Sequence, residues 1–389
     1  MKVGIIGAGA AGTSAAKTMQ ASGVDIEVDL LTRSGEQPYN RTLVNKGVAT
    51  GLLEPDQIAL PATGVETIAD TVRGIDPRSR DVHLDSGKSR TYDALIIASG
   101  SRPRTLDETI LGRDQALSAG RLTALHSIAD AVRVRDLIGT TRPARVLILG
   151  GGLVASETAS LLTDAGHDVA LITRALLPGA RALGEETARS LLNLHLPQHA
   201  AYLGRTPTAI RSHADRITVV LDDGPRAEGD LAIVAHGTMP AAPAPWTGSD
   251  GIPVDDHLRS LHAPHQRIYA AGGVAVHHYP GHSSYRIDHW DDSVAQGAHA
   301  ARALLHDLGL GDDPGIYLPS SPFSARVHGH TLVGAGHPAL GSSTRIVSTD
   351  PLLTAHYLGD TPVALTGIDA AALVRDWIPR LHQRAPIRS

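Results

Sequence analysis

Apolar positions in this chain fall into short dense runs, each closed by glycine and followed by a longer stretch of helical spacing. Lys2-Val-Gly-Ile-Ile6 is too short for a helix and ends at Gly7-Ala-Gly-Ala-Ala-Gly12, so it reads as a buried strand feeding a glycine loop. An Ala-rich helix is predicted from that loop to about Ser22, and a second strand over 26–31. The same pattern returns in mid-chain. A strand over 145–149 leads into Gly150-Gly-Gly-Leu-Val-Ala155, a helix over 153–165 and a strand over 168–172. Each glycine loop therefore lies at a strand–helix turn inside a βαβ unit, the context in which such a loop is informative.

The repetition extends beyond the loops. Residues 72–90 alternate as short strands and are followed by Asp93-Ala-Leu-Ile-Ile-Ala-Ser-Gly100. Residues 208–221, with a turn at Asp222-Asp-Gly224, are followed by Asp230-Leu-Ala-Ile-Val-Ala-His-Gly237. Each half is thus a βαβ unit, a small antiparallel insertion and a buried strand ending in glycine, a likeness that two chance glycine turns do not predict. The fold class expected is α/β, with two Rossmann-like dinucleotide-binding domains. A strand over 267–271, a His-rich loop and a helix over 293–308 follow. From Tyr317 onward short strands and a closing helix over 369–381 predict a small C-terminal α+β domain.

Composition narrows the chemistry. A chain of 389 residues with 42% apolar residues can bury two or three cores. A formal charge of −5 gives no support for nucleic acid or an anionic membrane as partner. The count of cysteines is 0, which removes disulfides, thiolate metal sites and thiol redox catalysis together. No apolar run approaches membrane-span length and no leader is visible, so a cytoplasmic location is expected, as monomer or homodimer.

A glycine loop at a helix N-terminus directs N–H groups and the positive dipole end at a pyrophosphate. In the first loop Gly7 makes the turn, Gly9 admits the phosphates and Gly12 lets helix pack on strand, with Ala10 and Ala11 opening the helix. In the second, Gly150 and Gly152 take the first two roles, Ala155 the third, and Leu153 and Val154 open the helix. The acid expected about twenty residues on, for the ribose hydroxyls, is absent from both units. The second strands end instead at Thr32-Arg33-Ser34 and Thr173-Arg174. Arg174 suits a 2′-phosphate and so NADP over NAD, unless it is only an exposed strand-end charge. Arg33 has no such partner in FAD. Two dinucleotide sites in one chain imply electron passage between nicotinamide and flavin.

On these residues the chain resembles the FAD-dependent pyridine-nucleotide reductases, in the ferredoxin, rubredoxin and putidaredoxin reductase branch. Pro38-Tyr-Asn-Arg-Thr-Leu-Val-Asn-Lys46 is similar to that family's Pro-Tyr-x-Arg-Pro-x-Leu-Ser-Lys, and Ser99-Gly100 to its Ala-Thr-Gly. Gly150 to Glu157 resembles its second glycine loop with the trailing acid. Ile268-Tyr-Ala-Ala-Gly-Gly-Val-Ala275 and Arg286-Ile-Asp-His-Trp290 resemble its Tyr-Ala-x-Gly-Asp-Val and Arg-x-Glu-His-Trp stretches.

The resemblance implies an FAD domain of residues 1–107 and 244–315, an NAD(P) domain of 108–243 and a C-terminal domain of 316–389. It implies that Lys46 lies near the flavin N5 and pairs with Glu157 beside the nicotinamide, with His289 and Trp290 at the isoalloxazine. The alternative for the pair is a purely structural salt bridge. Arg41, Val72, Ser99, Gly100, Gly273 and Val274 would complete the flavin site, and Thr173, Arg174 and Gly237 the nicotinamide dinucleotide site. The implied activity is an NAD(P)H-dependent flavoprotein passing electrons through FAD to a ferredoxin-like carrier.

Four departures weaken the flavin contacts. Gly273 replaces an aspartate that accepts a ribitol hydroxyl, Thr42 and Asn45 replace a proline and a serine, Arg33 ends the second strand, and Ser321-Pro-Phe-Ser-Ala-Arg326 replaces an aromatic C-terminal segment. The competing reading is a degenerate member with little or no flavin, acting on a small molecule or binding nucleotide without catalysis. No metal-ligand set is assigned. The run His277-His278-Tyr-Pro-Gly-His282 is either a solvated loop or a metal or acid–base group at a vacated site.

Overall fold

The computed structural model describes residues 1–33, 37–140, 143–248, 250–263, 265–279 and 284–383. Ser34 and His282 lie outside the described residues. Contacts divide the chain into two units, Met1–Asn40 with Ala59–Arg102 and Thr238–Ser321, and Arg41–Ile58 with Pro103–Gly237 and Pro322–Ser389.

The first unit is built on a five-stranded parallel sheet. Its order is Glu66–Ala69, Glu27–Thr32, Lys2–Ile6, Ala94–Ile97, Ile268–Ala270. The second unit repeats it as Ala200–Leu203, Asp168–Thr173, Arg145–Leu149, Leu231–Val234, Leu122–Ala124. In both, the strand before the glycine loop is central, with Ile5 opposite Leu30 and Ile96, and Ile148 opposite Leu171 and Ile233. These side chains are sealed on both faces, which is why the strands read as continuous apolar runs. Each unit carries a three-stranded antiparallel insertion, Val72–Asp76 to Ser89–Thr91 in the first and Pro207–Ser212 to Arg226–Gly229 in the second. The repeat differs at the fifth strand. The first unit draws it from the chain that returns after the insertion, and the second from residues that precede its glycine loop.

The helix Ala10–Ala21 packs on the helix Trp290–Asp307. Ala15, Ala16, Ala300, Ala301 and Ala303 are buried there, and Gly297 lies so close that a side chain would meet Ala11 backbone at 2.8 Å. With aromatic residues at 3%, small side chains let these backbones approach and fill the core by proximity rather than bulk.

Residues 322–368 form a five-stranded antiparallel sheet closed by the helix Ala371–Trp377. By its packing this segment joins the second unit: Leu183, Ala188 and Leu191 share a core with Ala325, Val327 and Leu332. Residues 41–58 join the same unit.

Behind that sheet His356 is buried and its Nε2 donates to Thr366 Oγ1 (2.8 Å), whose hydroxyl donates to Leu183 O (2.7 Å). Burial lowers its pKa to about 4, against about 6.5 for an exposed imidazole. Between those values the unfolded chain binds the extra proton, so the stability tied to neutral His356 is complete above about pH 6.5 and is lost as pH falls toward 4. His356→Gln keeps the donor to Thr366 and removes the titration. Chemical denaturation between pH 7 and 4.5 should show a shallower loss of stability for the variant, by up to about 1.4 kcal/mol per pH unit. An unchanged slope refutes this account.

Candidate dinucleotide sites

The first glycine loop has the geometry that close backbone approach requires. Gly7 sits at φ +106°, and a side chain there would come within 2.7 Å of the Ala98 carbonyl carbon. One at Gly12 would come within 2.9 Å of the Gly7 carbonyl carbon, whereas one at Gly9 would meet nothing within 4 Å. The first and third glycines are therefore demanded by the protein's own packing. The second is not, and its freedom faces outward where a phosphate would approach. Gly9 is the N-cap of the helix Ala10–Ala21, which has no side-chain cap and no acid in its first turn, so its N–H groups are open to an anion.

Around this loop the chain gathers Ser99 and the Gly272–Gly273 turn. Ser99 Cα would lie 3.0 Å from a Gly7 side chain, and Ala11 Cβ 3.1 Å from one at Gly272. Ser99 Oγ is buried with no hydrogen-bond partner among the described residues, an orphan that a polar ligand would satisfy. Gly100 follows at φ +71° with open space beyond it, and Val72 is half-buried. Gly272 N donates to Gln296 Oε1 (2.6 Å), and Gln296 Nε2 donates to Asp292 Oδ2 (2.5 Å). Tyr317 also donates to Asp292 (2.7 Å). This buried network fixes the turn before Gly273 and the fully buried Val274.

The space that a side chain at Gly273 would fill holds a carboxylate, that of Asp288 in the Arg286-to-Trp290 stretch. A Gly273 side chain would lie 2.9 Å from Asp288 Cγ, so the acid and a side chain at 273 exclude each other. Thr238 Oγ1 donates to Asp288, and Arg286 ties the arrangement together by donating to Gly273 O (2.7 Å) and Thr238 O (2.9 Å). His289 caps the start of the helix Trp290–Asp307 in an extended conformation, and both His289 and Trp290 are half-buried. His277 packs face to face on Tyr285 with ring centroids 5.1 Å apart, so it belongs to the core, whereas His278 is exposed.

In the second unit Gly150 has φ +149°, and a side chain would lie 2.8 Å from the Ala235 carbonyl carbon. Gly152 faces open space, and Ala155 is fully buried. The helix Leu153–Asp164 again has neither side-chain cap nor first-turn acid. Leu153 is half-buried and Val154 is 49% exposed, beside the loop. Thr173 is buried at the end of its strand, Arg174 is exposed, and Gly237 ends the neighbouring chain segment at φ +79°.

Lys46 and Glu157 are brought together in this unit. Lys46 lies in a single π-helical turn, Val44–Val48, a wide turn often found at functional sites. Its Nζ is 3.2 Å from Glu157 Oε1. The same oxygen accepts from Arg326 N (3.0 Å), and Oε2 accepts from Asn45 Nδ2 (3.1 Å). Glu157 is buried and both its oxygens are engaged, so it is held as an oriented carboxylate. Asn45 and Arg326, which looked from sequence like departures, are its partners here. Only their proximity in the fold reveals this. Arg41 is exposed, with Nη1 3.0 Å from His126 Nε2.

Two glycine loops so constructed define an α/β protein with two dinucleotide-binding folds. The model of the pyridine nucleotide-disulphide oxidoreductase family matches residues 1–297, and the chain belongs to that family. It is 31% identical over 342 residues to terpredoxin reductase of Pseudomonas sp, covering 83% of this chain and 80% of that protein. It is 27% identical over 319 residues to apoptosis-inducing factor 3 of Homo sapiens, covering 77% of this chain. The chain spans 50% of the length of that relative and of its mouse counterpart. The solved complex of putidaredoxin reductase with putidaredoxin shares the fold, with a TM-score of 0.85 over 97% of this chain and 93% of that chain at 21% identity.

The mutual exclusion at Gly273 is open to a double-mutant cycle. Gly273→Ala should destabilise the chain by about 1–3 kcal/mol, as overpacking does. In an Asp288→Ala background the same change should cost less, giving a coupling of about 0.5–3 kcal/mol by chemical denaturation. Strict additivity would show that the two positions do not compete for space.

Proposed function

We propose that the chain oxidises NAD(P)H and passes the electrons, by way of bound FAD, to a small ferredoxin-like iron–sulfur protein. The observation that carries this reading is the pair of glycine loops, each with an outward-facing second glycine and an uncapped helix behind it. The orphaned Ser99 hydroxyl and the Asp288 carboxylate beside Gly273 also suit a polyhydroxylated flavin chain. FAD, when bound, supplies two-electron acceptance and one-electron release. With 0 cysteines, the chain has no thiol to take those electrons onward, which favours an external carrier over disulfide chemistry. Relatives named as terpredoxin reductase and as the ferredoxin reductase component of a chlorobenzene dioxygenase support a carrier of that class. No described helix is long and apolar enough to cross a membrane, and we assign the protein to the cytoplasm.

In this reading residues 1–107 and 244–315 serve the flavin, 108–243 the nicotinamide dinucleotide, and 316–389 form the C-terminal domain. Glu157, with both oxygens occupied, orients the Lys46 ammonium rather than moving a proton. That ammonium has three N–H donors, and one is directed at Glu157. A fixed positive charge of this kind stabilises negative charge as it develops, at no cost in reorganisation. His289, at the N-cap beside Trp290, is assigned to the same chemistry. Arg174 is assigned to the 2′-phosphate of NADPH.

The protein saturated with FAD should show a flavin spectrum that anaerobic NADPH bleaches, and the reduced form should then reduce a ferredoxin. Glu157→Gln should keep the spectrum and slow bleaching by about tenfold or more, the scale on which preoriented electrostatic groups act. Arg174→Ala should raise the KM for NADPH about 10–100-fold, the worth of one charge-assisted hydrogen bond, and leave NADH unaffected. A flavin spectrum unchanged by either nucleotide would refute the function.

A further inference from the structure

The second unit contains a group of imidazoles that the reductase reading does not use. His195 ends the helix Glu185–His195, and His199 follows one turn later on the same face. His328 comes from the turn after the strand Pro322–Val327, where its φ is +48°, a strained value for a residue other than glycine. That conformation is held by its N–H, which donates to Ser160 Oγ (2.6 Å) in the helix Leu153–Asp164. Two segments of the chain thus bring three imidazoles to one point. His195 Nδ1 is 3.0 Å from His199 Nε2 and 2.9 Å from His328 Nε2, and all three nitrogens lie within 4.8 Å of one another. His195 is fully buried and the other two are half-buried.

Hydrogen bonding alone satisfies this arrangement poorly. His199 Nδ1 is 3.2 Å from Ala200 O and donates to it, which leaves a lone pair on Nε2 facing His195. A proton on His195 Nδ1 can point along one of its two short contacts. Without that proton, Nδ1 and His199 Nε2 face each other lone pair to lone pair. The neutral imidazole, with one nitrogen lone pair free, is the form that binds metals.

We propose that His195, His199 and His328 form a binding site for one divalent transition-metal ion, best suited to Zn(II), with a fourth position left for water or an added ligand. Three imidazole nitrogens with a free fourth position is a donor set that zinc accepts readily. At about 2.0–2.1 Å from each nitrogen, tetrahedral zinc sets the nitrogens about 3.4 Å apart, so the two contacts to His195 need to lengthen by only a few tenths of an ångström. The Nδ1–H of His199 on Ala200 O is the kind of outer hydrogen bond that orients a ligating imidazole. Because the ligands come from the helix and from the turn after the C-terminal strand, the ion would tie these two segments of the second unit together.

The test uses the untagged full chain with Zn(II) alone, and it does not depend on flavin or nicotinamide. Titration against a colorimetric zinc chelator should show one ion per chain bound tightly. Thermal unfolding of the metal-free protein should move upward on adding Zn(II). Co(II) in place of zinc should give the intense visible bands of a low-symmetry four- or five-coordinate site. His199→Ala and His328→Ala, each at a half-buried position, should weaken zinc binding by at least the about 10–100-fold that loss of an outer partner costs, and abolish the thermal shift. His278→Ala, at an exposed histidine of the first unit, should leave both unchanged. If zinc binds the His199 and His328 variants as tightly as the parent chain, or fails to bind the parent chain at all, the site does not exist.

Discussion

The constraint on which each half of this protein depends is the close passage of backbone over backbone at a strand–helix turn. A single added methyl at Gly12 would press into the Gly7 carbonyl, and at Gly7 or Gly150 into the end of the neighbouring strand. This contact seats the first helix on the sheet and aims its uncapped N–H groups at one point. It also separates the glycines by role. Gly7, Gly12 and Gly150 answer to packing, and Gly9 and Gly152 answer to nothing within the protein. A fold requirement and a ligand requirement are written into the same motif, and the geometry at each position tells them apart.

Charge has been redistributed around that frame. With no side chain at 273, the space beside it is open to the Asp288 carboxylate. A side chain at 273 and that carboxylate, as placed, exclude each other. Asn45 follows the same logic. It stands where a serine was expected, and its amide donates to Glu157 at 3.1 Å. Counting departures from a motif one position at a time overstates the loss, because a neighbour in space can supply the missing group.

How much could be read from the chain follows from the range of each interaction. The two βαβ units, their order and their insertions were legible because local periodicity and glycine placement encode them. The Lys46–Glu157 pair was legible only through family resemblance, since 111 positions separate the two residues and no periodicity connects them. The approach of Asp288 to Gly273, the partners of Glu157 and the association of the C-terminal sheet with the second unit were not legible. Each depends on contacts between distant segments. The run of histidines at 277–282 drew attention by its density, yet its described members are a packed ring and an exposed one. The histidines that do converge are spread over 133 positions.

In a family described by disulphide chemistry, a chain without cysteine has no thiol redox centre, and this bears on what its charged residues can contribute. A thiol redox centre needs a base to take and return protons. The Glu157 carboxylate is instead buried and held in place by Lys46, Asn45 and the Arg326 amide. Its surroundings suit a different task, keeping one ammonium fixed while charge moves nearby. The environment of Glu157 and the absence of cysteine thus argue in the same direction. Both fit electron transfer handled by a bound cofactor, with the protein supplying field and position rather than protons.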